Sequence, residues 1–156
     1  MKISSSAFQE GKPIPGRYAH RGVVGGQNIS LPLAWEGEPA ETKSFAISII
    51  DLHPVAGSWV HWLVVNIPNN CKSLAEDASG KKMPAGSEEL YNSYSTIGYG
   101  GPQPPAGSGP HRYEITVYAL SSESLDIPAN SSLQMFRKII GGRVVASAKT
   151  TGIYER

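Results

Sequence analysis

Four side chains of this sequence are placed so that they could share one polar site: Asp51, His61, His111 and Tyr113. Imidazoles offer donors or acceptors whose charge adjusts near neutral pH, a phenol adds a hydroxyl, and a carboxylate can hold an imidazole in one tautomer. Such a set can grip a small anion through charge-assisted hydrogen bonds, or move a proton. His111 and Tyr113 open an alternating run. Under a period of two they project together, with Ile115 and Val117 continuing the face, while Arg112 points the other way with Glu114, Thr116 and Tyr118 and reads as structural. Just upstream, residues 98–110 hold five glycines and four prolines, so positions free to adopt positive φ alternate with positions locked near one φ value. That is a shaped loop, unlike a Gly/Ser linker or a PxxP ligand. The amides of Gly100, Gly101 and Gly107 are candidate donors of a backbone nest, and the loop reads as the wall of a small anion pocket.

The elements that position these residues are strands. Residues 44–50, SFAISII, carry apolar side chains on both alternating faces and read as a strand buried on both sides that ends at Asp51. Residues 60–67, VHWLVVNI, read as a second such strand, with His61 on the face of Leu63 and Val65 and Trp62 opposite with Val60 and Val64. A lone histidine there has a bland reading, a core imidazole bonded to backbone carbonyls; Asp51 at the end of the neighbouring strand favours the pocket. Residues 6–35 are broken by Pro13, Pro15, Gly16, Gly22, Gly25, Gly26 and Pro32 into short strand-length pieces, with Trp35 closing over the core. His20 and Arg21 read as a surface pair. Residues 69–86 read as a long surface excursion with one helical turn near 73–77, and Tyr91, Tyr94 and Tyr99 as either pocket rim or plain packing. Ser131 and Gln134 fit a capping box ahead of a helix striped by Leu133, Phe136, Ile139 and Ile140, which Gly141 and Gly142 stop. The remainder reads as a last strand or a short helix.

The length of 156 residues suits a single domain over 1–156, and 40% hydrophobic with 17% charged residues is the balance of an ordinary globule rather than a disordered tail. The formal charge of +1 without a basic run argues against nucleic-acid binding. No apolar signal region or membrane span is seen, which makes the cytoplasm the expected address. A single cysteine, Cys71, excludes an intrachain disulfide and a cysteine-based zinc cluster.

Taken together, Asp51, His61-Trp62 and the run Gly101-Pro102-x-Pro104-Pro105-x-Gly107 ending in His111-Arg112-Tyr113 resemble the phosphatidylethanolamine-binding proteins, in particular their small bacterial and archaeal branch. Asn28-Ile29-Ser30, Thr42-Lys43-Ser44-Phe45, Asn92-Ser93-Tyr94 and Gly152-Ile153-Tyr154-Glu155-Arg156 agree, so the resemblance spans nearly the whole chain. It implies a mainly β fold, a large antiparallel sheet packed on a smaller sheet with short C-terminal helical elements. It also implies a pocket for phosphate, carboxylate or a phospholipid headgroup formed by Asp51, His61, Gly101, Pro104, Pro105, His111 and Tyr113. Where that family has Asp-Pro-Asp-Ala-Pro, this chain has Asp51-Leu52-His53-Pro54-Val55. His53 for an acid is expected to favour anions, more so as pH falls from 8 towards 6.

Three functions follow from these residues. The first is an anion-binding protein that regulates a partner such as a kinase or protease, with a homodimer among the open assembly states. The second is a small hydrolase using Asp51, His61 and His111 as acid, base and orienting group; it lacks a nucleophile, because neither Cys71 nor Ser108 sits in a motif such as GxSxG. The third is a metal site from His53, His61, His111 and Asp51, whose spacing fits no common zinc pattern. Binding without catalysis, cofactor or metal is the expected reading.

Overall fold

A computed structural model describes residues 1–156. Its strands are β1 (Lys2–Ser4), β2 (Leu33–Glu36), β3 (Ser44–Asp51), β4 (Val60–Pro68), β5 (Ser73–Leu74), β6 (Glu88–Glu89), β7 (His111–Leu120) and β8 (Val144–Tyr154), with one α-helix, α1 (Leu133–Gly141). A five-stranded sheet runs β6-β4-β3-β7-β8 and a three-stranded sheet β1-β2-β5, and every pairing within them is antiparallel. The fold is therefore mainly β, a larger antiparallel sheet on a smaller one, as expected. The helix precedes the last strand rather than ending the chain.

All of β3 is buried, because both faces of the central strand are covered. On one face Phe45, Ile47 and Ile49 join Trp62, Val64, Ile115 and Val117 against Ile3, Leu33, Trp35 and Leu74 of the small sheet. Trp35 closes this layer edge-on to Phe45, with ring centroids 5.4 Å apart. On the other face Ala46, Ile50, Leu63 and Val65 meet Phe136 and Ile140 of α1. Fully burying side chains of this size contributes about 1.5 to 3 kcal/mol each.

Four local readings are decided, three of them as corrections. Residues 73–77 form no helical turn: Ser73 and Leu74 pair with Ala34 and Leu33, because an apolar Leu74 completes the small sheet's buried face. The segment from 144 on is a strand, paired with β7 along its length. The cap of α1 is Ser132, one residue later than expected, whose hydroxyl accepts from Met135 N–H, while the Ser131 hydroxyl is buried without a partner. Ser132→Ala is expected to cost about 1 kcal/mol and Ser131→Ala to be neutral or stabilising, checked by thermal melts; the reverse order would restore Ser131 as the cap.

The fourth concerns His61. The register of β4 on β3 slips between Ile49↔Trp62 and Ile50↔Val60, leaving His61 as the extra residue of a β-bulge. Strict alternation fails there: Val60 shares the Leu63 and Val65 face, and His61 turns to the opposite side with Trp62, its ring 5.0 Å from that of Tyr113. Bulges bend a strand and re-aim a side chain in this way.

Candidate functional site

Antiparallel pairing puts the C-terminal end of β3 beside the N-terminal ends of β4 and β7. Asp51, which ends β3, lies directly opposite Tyr113 in β7, and the bulge brings His61 from β4 to the same rim. A cavity of about 330 Å³ opens there. Asp51, His61, Pro104, Pro105, His111 and Tyr113 all line it. Gly101 does not. Its carbonyl accepts from the Tyr94 hydroxyl at 2.9 Å, and a Cβ at this position would collide with the Tyr18 carbonyl oxygen, so it is a close-packing glycine behind the wall.

The Gly/Pro loop is held as a rigid wall, but its amides are not a nest. Gly100 N–H donates to His61 O at 2.8 Å, Gly101 N–H to Asn28 Oδ1 at 2.7 Å and Gly107 N–H to Arg156 O at 3.0 Å. Each of these three donors is already engaged inside the protein and is not free for a ligand.

His111 and Asp51 form a buried pair, Nδ1 to Oδ2 at 2.6 Å, with exposures of only 1% and 4% for the two side chains. The other carboxylate oxygen accepts from His53 N–H at 2.8 Å. On the far side of the ring, His111 Nε2 is 2.9 Å from Ser108 Oγ, which is itself 2.6 Å from Pro105 O. A carbonyl oxygen only accepts, so the serine proton goes to Pro105 and Nε2 donates to Ser108. Both ring nitrogens then face acceptors.

His61 is different. Its Nδ1 lies 2.6 Å from Gly100 O and must donate there. Burial pushes its pKa down to about 4, only partly offset by the Gly100 carbonyl and Asp51, so at neutral pH the ring is uncharged and Nε2 carries a lone pair. The two histidines are thus not equivalent charged donors. Tyr113 supplies a buried hydroxyl that makes no well-formed hydrogen bond, although it stands close enough to Asp51 for the carboxylate to act on its proton. Burial, followed by the Asp51 charge, pushes its pKa up, so it remains a donor.

His53 does not line the cavity. Its ring stacks on that of His111, centroids 3.9 Å apart at 15°, and its Nδ1 accepts from Val55 N–H at 3.3 Å, capping the short 3-10 turn Pro54–Ala56. It roofs the Asp51-His111 pair instead of facing a ligand. The nitrogens of the third reading do not converge either: no group of three or more His, Cys, Asp or Glu side chains is placed to hold a metal ion. Arg112 does point away from His111 and Tyr113, but it is exposed, pairs with no carboxylate, and feels only a long-range attraction to Glu10. Its expected structural role is not supported.

Val55, Ala56, Trp59 and Gln103, none of them expected from the sequence, complete the walls together with Tyr94. Tyr94 was left between rim and packing; it does both, stacking on His20 with centroids 4.6 Å apart and meeting Trp59 edge-on at 5.3 Å. Burial raises its pKa to about 12. His20 therefore buttresses the wall rather than decorating the surface.

The phosphatidylethanolamine-binding protein family profile matches residues 4–155. A UPF0098 protein of Aquifex aeolicus is 36% identical over 156 residues, covering 100% of this chain and 89% of its own. The crystal structure of Escherichia coli YbcL, described as a member of the mammalian PEBP family, superposes with a TM-score of 0.93 at 34% identity over 99% of this chain and 98% of YbcL. That of the Chlamydia trachomatis homologue CT736 superposes at 0.84 with 30% identity, over 99% and 97% of the two chains. No helix of the protein is long and apolar enough to cross a membrane. With a profile that matches residues 4–155 and relatives at 30% identity or more over at least 89% of their own length, the chain belongs to the phosphatidylethanolamine-binding protein family.

Proposed function

We propose that the protein binds a small anionic group, a phosphate, a carboxylate or a phospholipid headgroup, in the cavity between Asp51, His61, His111 and Tyr113, and that it acts in the cytoplasm as a regulator of a kinase or protease partner. The observation that carries the binding reading is the convergence of Asp51, His61, His111 and Tyr113 on one cavity, with the Tyr113 hydroxyl buried there and lacking a well-formed hydrogen bond. An unsatisfied buried donor costs about 1 to 3 kcal/mol, a cost that a ligand oxygen would remove. Regulation of a partner draws support from the exposed apolar side chains Leu52, Val55 and Trp59 in the turn beside the cavity.

One observation favours the hydrolase reading: Ser108, His111 and Asp51 are joined in the order of a nucleophile, base and orienting acid. Against it, the serine proton points to Pro105 O and not to the imidazole, and the Gly100, Gly101 and Gly107 amides that could stabilise an oxyanion are engaged. Binding is the better supported reading.

Nuclear magnetic resonance titration with phosphoethanolamine and with acetate tests it. The expected result is saturable shifts of the Trp59 indole, the Gln103 side-chain amide and the His61 ring. Absence of shifts at these groups, or turnover of activated esters abolished by Ser108→Ala, would count against binding as the function.

A further inference from the structure

The fold covers only half of the outer edge of β8, the last strand of the large sheet. β8 pairs with β7 on one side and with no other strand of the sheet on the opposite side. Along its C-terminal half, residues 11–14 take the place of a neighbouring strand. Gly11 N–H donates to Thr151 O at 2.7 Å, Ile14 N–H to Ile153 O at 2.7 Å, and Ile153 N–H to Lys12 O at 3.0 Å. The Glu10 carboxylate ends that cover by accepting from Thr151 N–H at 2.8 Å. In an antiparallel pair the main-chain groups of alternate residues face outward, so those of Ser147 and Lys149 point the same way as those of Thr151 and Ile153, and nothing covers them. A groove of about 600 Å³ runs beside this stretch, with Ile3, Phe8 and Ala148 as its apolar lining. Side chains of β8 alternate here, Ala146 and Ala148 against the core and Ser147 and Lys149 exposed.

We infer that the free edge at Ser147 and Lys149 is a docking site for an extended acidic segment of a partner protein, which joins the large sheet as a further strand. Main-chain hydrogen bonds to Ser147 and Lys149 hold the segment, while its alternate side chains reach the groove on one face and solvent on the other. A lysine on an edge strand ordinarily guards against pairing. Here the Lys149 ammonium is drawn back over the sheet to Glu114 of β7, at 3.0 Å, and its backbone stays open. Charge selects the occupant. Between Ile127 and Tyr154 the chain has Arg137, Lys138, Arg143 and Lys149 and no Asp or Glu. Arg143, which directly precedes β8, is exposed and pairs with no carboxylate, and neither do Arg137 and Lys138. A second copy added edge to edge would bring the same cations together, whereas acidic side chains answer them. Glu10, the acid on the groove, turns its oxygens onto Thr150 and Thr151, so the acids of the occupant belong beside Lys149 and Arg143 and not beyond Thr151. The stretch lies opposite Thr116 and Tyr118 in β7, away from His111 and the cavity.

Nuclear magnetic resonance titration of the whole protein with two capped heptapeptides, one alternating Glu and Val and the other Lys and Val, tests the inference. The acidic peptide is expected to shift the amides of Ile3, Ser147, Ala148 and Lys149 saturably, and to bind about tenfold or more tightly than the lysine peptide. Ser147→Pro removes an outward N–H at an edge position where proline is tolerated, so it should keep the melting temperature and weaken the acidic peptide by about tenfold or more. Arg143→Glu, an exposed change that needs no backbone adjustment, should lower the affinity for the acidic peptide and raise that for the lysine peptide. No saturable shift at these amides, equal affinities for the two peptides in the wild type, or an unchanged ratio in Arg143→Glu would overturn the inference. So would a wild-type dimer in sedimentation velocity that Ser147→Pro abolishes, since the edge would then belong to a second copy of the chain.

Discussion

Asp51→Ala is expected to destabilise the protein by about 3 to 5 kcal/mol, the cost of removing one partner from a buried charged pair. Asp51 is 3% exposed, and its two oxygens hold the His111 ring at 2.6 Å and the His53 backbone N–H at 2.8 Å. Truncation leaves a buried imidazole with nothing to answer its Nδ1–H, and frees the turn that carries His53, whose ring stacks on His111. For a chain of this size the melting temperature should drop by roughly 6 to 20 °C. Asp51→Asn should lose less, because the amide oxygen still accepts from His53 and a neutral ring can accept from the amide nitrogen. Thermal melts of the two variants check both statements; a melting temperature for Asp51→Ala within error of the wild type would mean that the pair does not hold the end of β3.

The second large effect is on the acid limb of the stability curve. His61 has an ordinary unfolded pKa near about 6.5 and a folded value lowered to about 4, first by burial. Between these values the unfolded chain binds more protons than the folded one, so stability falls as pH falls. The contribution is fully present above the unfolded value and is lost by the folded value. At about 1.4 kcal/mol per unit the loss amounts to roughly 3 kcal/mol across that window. His61→Gln, which keeps an N–H to offer Gly100 O but does not titrate, should show an acid limb flatter by that amount in denaturant titrations run from neutral pH to pH 4. Parallel limbs for the two proteins would contradict the buried, neutral state of His61.

The three central strands were legible because β3, β4 and β7 carry the plainest patterns in the chain: two apolar runs buried on both faces and one clean alternation after a glycine-rich loop. Asp51, His61, His111 and Tyr113 were legible as a set for the same reason, since each stands at the end of one of those strands. The direction of His61 was not. A bulge depends on the register of the partner strand, here Ile49 and Ile50 against Trp62 and Val60, and no period within β4 records it. The loop amides were misjudged because their partners, Asn28 and Arg156, lie far away in sequence. Tyr94 and Trp59 reach the cavity from turns outside any regular strand, and β5 is two residues long, too short to have a period at all.

The central claim is that the floor of the cavity is built to meet a ligand, and Tyr113→Phe tests it most directly. The substitution removes one oxygen that is buried and lacks a well-formed hydrogen bond, and leaves the ring that packs edge-on to His61. Melting temperature and phosphoethanolamine affinity should move in opposite senses: stability unchanged or higher, because an unsatisfied hydroxyl worth about 1 to 3 kcal/mol is gone, and affinity lower by about tenfold or more. A variant that melts lower than the wild type and binds phosphoethanolamine equally well would contradict the claim, since the hydroxyl would then serve the fold and not a ligand.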